Sequence, residues 1–414
     1  MQVDLPTIGA AREPAVLLRR LVEEGGTSPW RRPLGLFANS AGRFPLFSPV
    51  RGVVRWHAAL NQPTRGPVCT IEPDGMRVPP VRPIDRVGPV TAGLVVTYVG
   101  PLPGWFPLFA RSLQANPWLT VYLVGPSREQ IACELPDNVK PVPMTLDDVR
   151  QRARVCFGFM PALAHPYKLC DLKPTYGEVF ADLLADHDWF GWGDLDLVYG
   201  RLGDLLAAEL RSDAPILLSQ GSCCLCRNTP EMRTLYRAEE PGVLGWRDAM
   251  KDPVNRIFDE FGALHRLCEQ LNVPTLMPPV RADVCSSSHR LTLASDFSCE
   301  IDYPEQAFTW RNGRLFREFY DGDRYGRREF GFIHLQKRRM QPPSAEVLRA
   351  EHLAICPDRF ELIGPEPLTR EEMRRLNPSR PLRDLLWRMY RPWGRVRRLL
   401  RERALRRRYT AEPS

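Results

Sequence analysis

Two aspartates lie between apolar residues in the stretch WFGWGDLDLVYG, residues 189–200. Asp194 and Asp196 are two positions apart, and residues two apart in an extended strand point to the same side. Two carboxylates on one buried side repel each other and cost free energy to desolvate. A divalent cation removes that cost, and oxygen ligands suit Mg²⁺ or Mn²⁺, which also bind substrate phosphates. The pair therefore predicts a metal site, and the alternative is a solvated strand end.

The chain contains two further Asp-x-Asp pairs, at 186–188 and 321–323. The first is at the predicted end of a helix. The second flanks a glycine in a predicted turn. Only the pair at 194–196 has apolar runs on both sides, so it is the pair that we expect to bind a cation.

The elements that must position this pair alternate between strands and helices from residue 93 onward. Such alternation is typical of a largely parallel sheet with helices on its faces, in which ligands bind at the carboxyl ends of the strands. The predicted strands are 94–100, 119–125, the segment leading to Asp194, 216–220, 223–226, 314–320 and 328–336. The predicted helices are 105–116, 145–156 with Thr145 as N-cap, a helix with Pro174 in its first turn that ends near 186–187, 229–238 capped by Thr229, and 252–271 in two pieces.

The two ends of the chain differ from this middle part. In residues 1–92, Pro, Gly and Arg interrupt every element except a predicted helix at 13–24. Residues 382–409 carry arginines on every turn with Leu, Trp, Met and Tyr between them, which predicts a basic amphipathic helix. We therefore expect an irregular N-terminal extension (1–92), a core domain (93–345) and a helical, Arg-rich C-terminal region (346–414).

The composition is that of a soluble globular protein: 43% of residues are hydrophobic, 26% are charged and the formal net charge is +8. The first residues lack a basic and apolar leader, and no apolar run approaches the roughly 18 residues that span a membrane. The eleven cysteines are an odd number, which favours reduced thiols in the cytoplasm.

Four sequence blocks resemble, in their order, a family of bacterial glycosyltransferase-like proteins, many of unknown function. They are YKLCDLKPTYGEVFADLLADHDWFGWGDLDLVYGRL, LLSQGSCCLCRNTPEMRTLY, FDEFGALHRL and FIHLQKRRM, and the resemblance covers residues 93–340. The family's fold is similar to the GT-A class of nucleotide-sugar glycosyltransferases. The resemblance thus implies an α/β fold with a mixed, mostly parallel sheet flanked by helices.

The resemblance also implies roles for individual residues. Asp194 and Asp196 would hold Mn²⁺ or Mg²⁺ on the diphosphate of a nucleotide-sugar donor, and His334 would complete the metal site. Asp259 and Glu260, in FDEF, are the candidate catalytic carboxylates. The residues placed to meet the donor are Thr97, Tyr98, Gly100, Lys168, Asp171, Lys173 and Lys337.

The implied reaction needs residues of these types. Negative charge builds on the departing nucleoside diphosphate, and a metal ion and nearby cations stabilise it. An inverting enzyme also needs a carboxylate that takes the proton of the acceptor hydroxyl, and the choice between inversion and retention stays open. The predicted function is sugar transfer to a saccharide or lipid-linked acceptor, in bacterial surface polysaccharide or glycoconjugate assembly.

Two other functions remain open at the level of sequence. DLDLV fits the Asp-x-Asp-x-Val pattern of haloacid-dehalogenase-like phosphatases, in which Asp194 would be the nucleophile, although no later acidic block completes that pattern. Alternatively, the chain is a binding module without enzymatic activity, whose tail at 382–409 holds an anionic membrane or polymer. The interleaved Trp and Tyr favour a membrane interface, and a transferase with this tail would work at the inner face of the plasma membrane.

The cysteines at 223–226 offer one more interpretation. Cys223 and Cys226 have the spacing of zinc ligands, but the chain has no second pair of this kind. We therefore interpret CCLC as part of a buried strand.

Overall fold

The computed structural model describes residues 88–260, 263–293, 301–336 and 338–411. The predicted helix at 13–24, and all of the predicted N-terminal extension except its last five residues, lie outside these ranges. The strands are β1 (Ala92–Thr97), β2 (Leu119–Gly125), β3 (Val139–Pro143), β4 (Trp189–Gly193), β5 (Leu197–Tyr199), β6 (Ile216–Gln220), β7 (Cys223–Arg227), β8 (Thr275–Leu276), β9 (Arg281–Asp283), β10 (Gln306–Arg311), β11 (Arg314–Asp321), β12 (Arg324–Phe330), β13 (Phe332–His334), β14 (His352–Ile355) and β15 (Phe360–Leu362).

The α-helices of the described part follow the same chain order. They are α1 (Phe106–Leu113), α2 (Leu146–Phe157), α3 (Leu169–Leu172), α4 (Tyr176–Val179), α5 (Ala181–Leu184), α6 (Leu202–Leu205), α7 (Pro230–Thr234), α8 (Trp246–Lys251), α9 (Leu264–Gln270), α10 (Ala345–Arg349), α11 (Arg370–Leu376) and α12 (Pro381–Ala411).

The central sheet has seven strands in the order β3-β2-β1-β4-β7-β6-β8. Only β7 runs against the other six. The strand β1, with the sequence AGLVVT, is buried on both faces, as expected for a strand inside a parallel sheet. The predicted fold class, a mixed and mostly parallel sheet flanked by helices, is confirmed.

Helices cover both faces of this sheet. On one face, Leu94 and Val96 of β1 share a core with α1. On the other face, Val95 shares a core with α2 and with the helical segment that leads to β4. The alternation of neighbouring residues between two cores follows from the period of two in a strand.

Two smaller sheets complete the described part. One has five antiparallel strands in the order β12-β11-β10-β14-β15, and the other has three strands in the order β5-β13-β9. The predicted strand at 328–336 is in fact two strands in different sheets, because the chain changes sheet at Gly331, whose N–H donates to the carbonyl of Val280. The C-terminal region differs too: β14 and β15 lie within the stretch predicted to be helical from residue 346, and α11 begins only at Arg370.

The structure confirms the predicted start of α2. The side chain of Thr145 accepts a hydrogen bond from the N–H of Asp148, and the Asp148 carboxylate accepts one from the N–H of Thr145. This reciprocal capping box satisfies N–H groups that have no partner within the helix. The helix ends at Gly158, which has φ +75°.

Two predicted helices take another form. Residues 166–184 form a series of short 3₁₀ and α turns instead of one helix. Among the described residues of the predicted helical stretch at 252–271, only α9 is helical. The reason is a long-range contact: the N–H groups of Arg256 and Phe258 donate to the carboxylate of Asp171 and so are not available to a helix.

The sequence predicts that Asp194 and Asp196 lie within one strand. In the structure they do not. The chain leaves the central sheet after Gly193 and enters the three-stranded sheet at Leu197. Asp194 and Asp196 therefore lie in the bend between two sheets. Among the residues that the structure describes, no helix is both long enough and apolar enough to cross a bilayer.

Candidate functional site

The backbone holds the two aspartates from two different sides. The N–H of Asp194 donates to the carbonyl of Ser222, next to β7, at 2.9 Å. The carbonyl of Asp196 accepts from the N–H of Leu335, next to β13, also at 2.9 Å. The pair is thus fixed where the carboxyl end of β4 meets the three-stranded sheet.

The glycines in WFGWG allow β4 to pack closely against its neighbours β1 and β7. A Cβ atom at Gly191 would lie 2.0 Å from the carbonyl oxygen of Cys224 on β7. At Gly193 it would lie 2.9 Å from Leu94 Cδ2 on β1. Since side chains at these positions would push the neighbouring strands away, the glycine-rich strand is a packing requirement.

His334 reaches the acidic pair from β13. In the three-stranded sheet it pairs with Leu197 on one side and with Asp283 on the other. Its Nε2 atom is 3.4 Å from Asp196 Oδ1, and its Nδ1 atom donates to Asp283 Oδ1 at 2.9 Å. Asp283 also accepts from Gln336 Nε2 at 2.6 Å. A carboxylate on one ring nitrogen commonly orients a histidine whose other nitrogen binds a metal.

The structure brings the three predicted metal ligands together. One ligating atom from each of Asp194, Asp196 and His334 lies within 4.8 Å of the others. The three side chains are 30%, 16% and 13% exposed, so the group is open to solvent on one side. Two carboxylates and one imidazole are suitable ligands for a divalent cation such as Mn²⁺.

The charge state of His334 fits this arrangement. Burial lowers the pKa of His334, but hydrogen bonds and charges from Asp196 and Asp283 outweigh that effect and raise the pKa to about 10. The imidazole therefore carries a proton that balances the acids. Because a metal-binding histidine is neutral, a cation at Nε2 would displace this proton.

Lys173 links the candidate metal ligands to the second acidic group. Its Nζ atom donates to Asp194 Oδ1 at 2.7 Å, to Asp259 Oδ2 at 2.9 Å and to the carbonyl of Gly221 at 2.7 Å. Burial lowers the pKa of Lys173, but the two carboxylates outweigh it and raise the pKa well above the usual value. Lys173 is thus a fixed cation beside the candidate metal site.

The two candidate catalytic carboxylates have different surroundings. Asp259 is only 4% exposed, and burial raises its pKa to about 6 in spite of Lys173. Glu260 is exposed. A Cβ atom at Gly221 would lie within 3 Å of both side chains, so the glycine leaves room for them beside the metal site. Glu260 is the one that solvent reaches.

Lys168 and Asp171 form a buried ion pair at 2.6 Å. Lys168 Nζ also donates to the carbonyls of Ala249 and Val254. Asp171 accepts from backbone N–H groups on both sides of Ile257, which has φ +56°, a rare conformation for a β-branched residue. The pair therefore fixes the loop that leads to Asp259. The contact of Lys168 and Asp171 with a donor stays a prediction.

The remaining predicted donor residues lie at the end of β1. Val95 pairs with Trp192 in parallel, so the carboxyl ends of β1 and β4 lie at the same edge of the central sheet. The hydroxyl of Thr97 is hydrogen-bonded to that of Tyr176 at 2.8 Å. Tyr98 follows, half-buried, and Gly100 is exposed. Lys337 lies outside the described residues.

Sequence reasoning missed several residues of this site. Four residues that were not predicted each contact a predicted one: Asp283 and Gln336 contact His334, Gly221 contacts Lys173, and Tyr176 contacts Thr97. Asp283 ends a strand of three residues, which is too short for a periodicity signal. Gln336 follows His334 by two positions within the block FIHLQ, which is the one signal that could have drawn attention to it.

The cysteines of β7 behave as buried strand residues. Cys223, Cys224 and Cys226 are buried, and burial raises the pKa of Cys223 to about 12. All three cysteines lie in β7, which is buried along its whole length, and this agrees with the strand interpretation.

A search of curated proteins finds no match to this chain. Among solved structures, the chain is similar to the galactosyltransferase LgtC in complex with donor and acceptor sugar analogs, with 12% identity, a TM-score of 0.29, and coverage of 46% of this chain and 75% of the other. It is also similar to mouse xyloside xylosyltransferase 1, with 11% identity, a TM-score of 0.32, and coverage of 48% and 88%. Neither similarity is strong enough to carry an activity or a substrate over to this chain.

A family comparison covers more of the sequence. The match extends over residues 94–363, which include every described residue of the site above. The chain therefore belongs to the family of unknown function DUF6625.

Proposed function

We propose that this protein is a metal-dependent glycosyltransferase that moves a sugar from a nucleotide-sugar donor to a saccharide or lipid-linked acceptor. The observation that carries the proposal is the convergence of Asp194, Asp196 and His334 at the carboxyl edge of the central sheet. This edge is where ligands bind in sheets of this kind. The order of the four sequence blocks supports the same class of enzyme.

In this proposal, the three residues hold Mn²⁺ or Mg²⁺, which when bound supplies positive charge to the donor diphosphate. Asp283 keeps Nε2 of His334 directed at the site by accepting the hydrogen bond of Nδ1. Lys173 fixes one oxygen of Asp194 and leaves the other for the cation. A site built in advance in this way needs no reorganisation when charge develops on the leaving group.

We propose that the donor nucleoside lies over Thr97, Tyr98 and Gly100, since the carboxyl end of β1 lies at the same edge of the central sheet as the end of β4, which Asp194 follows. Lys337 would meet the diphosphate. For Lys168 and Asp171 we propose an indirect role, because their contacts hold the loop before Asp259.

The acceptor would bind on the side of Asp259 and Glu260. If the enzyme inverts, Glu260 is the better candidate for the base, because its carboxylate is exposed whereas Asp259 is enclosed and paired with Lys173. Asp259 would then position Lys173 and, through it, Asp194. The anomeric configuration of the product distinguishes inversion from retention.

We further propose that the reaction belongs to bacterial surface polysaccharide or glycoconjugate assembly and takes place in the cytoplasm. The chain has eleven cysteines, an odd number, which suits a reducing compartment in which thiols stay reduced. If the acceptor is lipid-linked, the enzyme would act at the inner face of the plasma membrane.

A thermal-shift screen of nucleoside diphosphates, with and without Mn²⁺, tests the proposal. We expect one nucleoside diphosphate to raise the melting temperature only when Mn²⁺ is present. Asp194→Ala with Asp196→Ala should abolish the effect. The matched control changes the other Asp-x-Asp pair, Asp321→Ala with Asp323→Ala, in the turn between β11 and β12.

Two results would count against the transferase. One is sugar transfer that survives the double change at 194 and 196. The other is turnover of a simple phosphate ester through an aspartyl-phosphate at Asp194, which would establish the phosphatase instead.

A further inference from the structure

The helix α12 exposes an apolar stripe. Seven of its large apolar side chains are between 44% and 70% exposed. They are Leu382, Leu385, Leu386, Met389, Trp393, Val396 and Leu400. At 3.6 residues per turn, all seven lie within an arc of about 100°. The stripe runs along the helix for about 27 Å, at 1.5 Å per residue.

Three residues of α12 that lie outside this arc contact the body of the protein. Asp384 accepts from the N–H of His289 at 2.7 Å, and Arg383 contacts the ring of His289. Near the other end, Arg406 donates to Asp252 at 2.9 Å. All three helix residues lie more than about 90° from the centre of the apolar arc.

The apolar face of α12 is therefore turned away from the body of the protein, which is the reverse of an ordinary surface helix. A surface helix normally turns its apolar stripe to the core and its charges to solvent. Here, polar residues hold both ends of the helix to the body, and the apolar stripe faces outward. An outward stripe of this size indicates a partner outside the described part of the chain.

The charge of α12 indicates the chemistry of that partner. Residues 381–411 contain eleven arginines and only two acids, Asp384 and Glu402. The excess positive charge of this one helix is larger than the net charge of the whole chain, which is +8. The partner must therefore offer an apolar phase and negative charge side by side.

Two other partners fit less well. A second copy of the helix would cover the stripe, but it would bring two strongly basic helices together, and like charges repel. A nucleic acid would pair with the arginines through its phosphates but would leave the apolar stripe in water. A bilayer with anionic lipids satisfies both features at once.

We propose that α12 is a membrane-docking helix that lies flat on a bilayer containing anionic phospholipids. The apolar stripe enters the boundary between headgroups and acyl chains, and the arginines pair with headgroups on its flanks. Trp393 and the exposed Tyr390 suit this interface, where aromatic rings with a polar atom are favoured. The docking is independent of the transfer chemistry proposed above.

Co-sedimentation of the full chain with vesicles tests this proposal. The vesicles are phosphatidylcholine alone or phosphatidylcholine with phosphatidylglycerol. We expect binding to the anionic vesicles only, with a loss when the salt concentration is raised to about 0.5 M. The test variant is Met389→Glu with Trp393→Glu, and we expect it to bind at least about tenfold more weakly, because each change removes an inserted apolar group and adds a charge that the anionic surface repels.

The matched control is Leu362→Glu, which changes a 48% exposed residue on β15 and should leave binding unaltered. A second test variant is Arg388→Glu with Arg398→Glu, which changes two exposed positions on the charged side of α12. Equal melting temperatures show that each variant is folded.

Three results would overturn the proposal. The first is equal binding of the wild-type chain to neutral and anionic vesicles, or equal binding of wild type and variants. The second is a wild-type dimer in sedimentation velocity that dissociates in the Met389→Glu, Trp393→Glu variant, since that would assign the stripe to a second copy. The third is nucleic-acid binding that depends on the stripe, with no vesicle binding.

Discussion

At the scale of single residues, the orientation of His334 depends on Asp283. The two side chains meet only because β9 and β13 are neighbours, and Asp283 leaves Nε2 directed toward Asp196. This gives Asp283 a positioning role in metal binding.

We predict that Asp283→Asn weakens Mn²⁺ binding by about 10- to 100-fold, the usual effect of losing the carboxylate behind a metal-binding histidine. Isothermal titration with Mn²⁺ measures the change, and Asp321→Asn, in an exposed turn, is the control. An affinity equal to that of the wild type would show that His334 is oriented by other contacts or does not bind the metal.

Lys173 provides a second prediction at this scale. Lys173→Met leaves Asp259 as a buried carboxylate without its cation, and removal of one partner from a buried ion pair costs about 3–5 kcal/mol. Urea denaturation measures the free energy of unfolding. Adding Asp259→Asn should restore much of the loss, because the buried charge is then gone and Asp194 is partly solvated. If the double variant is no more stable than Lys173→Met alone, Asp259 is not the group that Lys173 compensates.

At the scale of elements, the position of β4 against β7 depends on a residue without a side chain. We predict that Gly191→Ala lowers the free energy of unfolding by about 1–3 kcal/mol or more, since the new Cβ would lie 2.0 Å from a backbone oxygen. Gly364→Ala is the matched control, because a Cβ atom there meets nothing within 4 Å. Similar stabilities of the two variants in urea would contradict this packing of β4.

The same elements show what could be predicted from the sequence. The start of α2 was predictable because Thr145 and Asp148 make their contacts within one turn. The strands β1 and β2 were predictable from their β-branched runs, whereas β3 and β8 were not among the predicted strands. The non-helical form of residues 252–260 was not predictable, because Asp171, more than 80 residues away in the chain, accepts the N–H groups of Arg256 and Phe258.

The residues of the candidate site also fall into those that could be predicted from the sequence and those that could not. The acidic pair and the candidate histidine could be proposed from residue types and block order. Asp283 could not, since its contact with His334 depends on the register of two strands of three residues each. Sequence patterns predict local contacts well, but they predict pairings between short strands that are distant in the chain poorly.

At the scale of the whole molecule, charge is concentrated in one element. Without α12, the acids and bases of the chain nearly cancel, so the basic character of the protein is that of its C-terminal helix. Arg406 joins this helix to Asp252, at the start of the loop that carries Asp259. Docking of α12 would thus hold the proposed acceptor side of the site at a fixed place relative to the membrane.

The central claim is that Asp194, Asp196 and His334 hold a divalent cation to which the donor diphosphate binds. Anomalous diffraction from crystals grown with Mn²⁺ and the nucleoside diphosphate found in the thermal-shift screen tests it most directly. We predict an anomalous peak within coordination distance of one oxygen of each aspartate and of Nε2 of His334, in contact with the diphosphate oxygens. A nucleotide bound elsewhere, or bound at this edge with no metal between the two aspartates and His334, would contradict it.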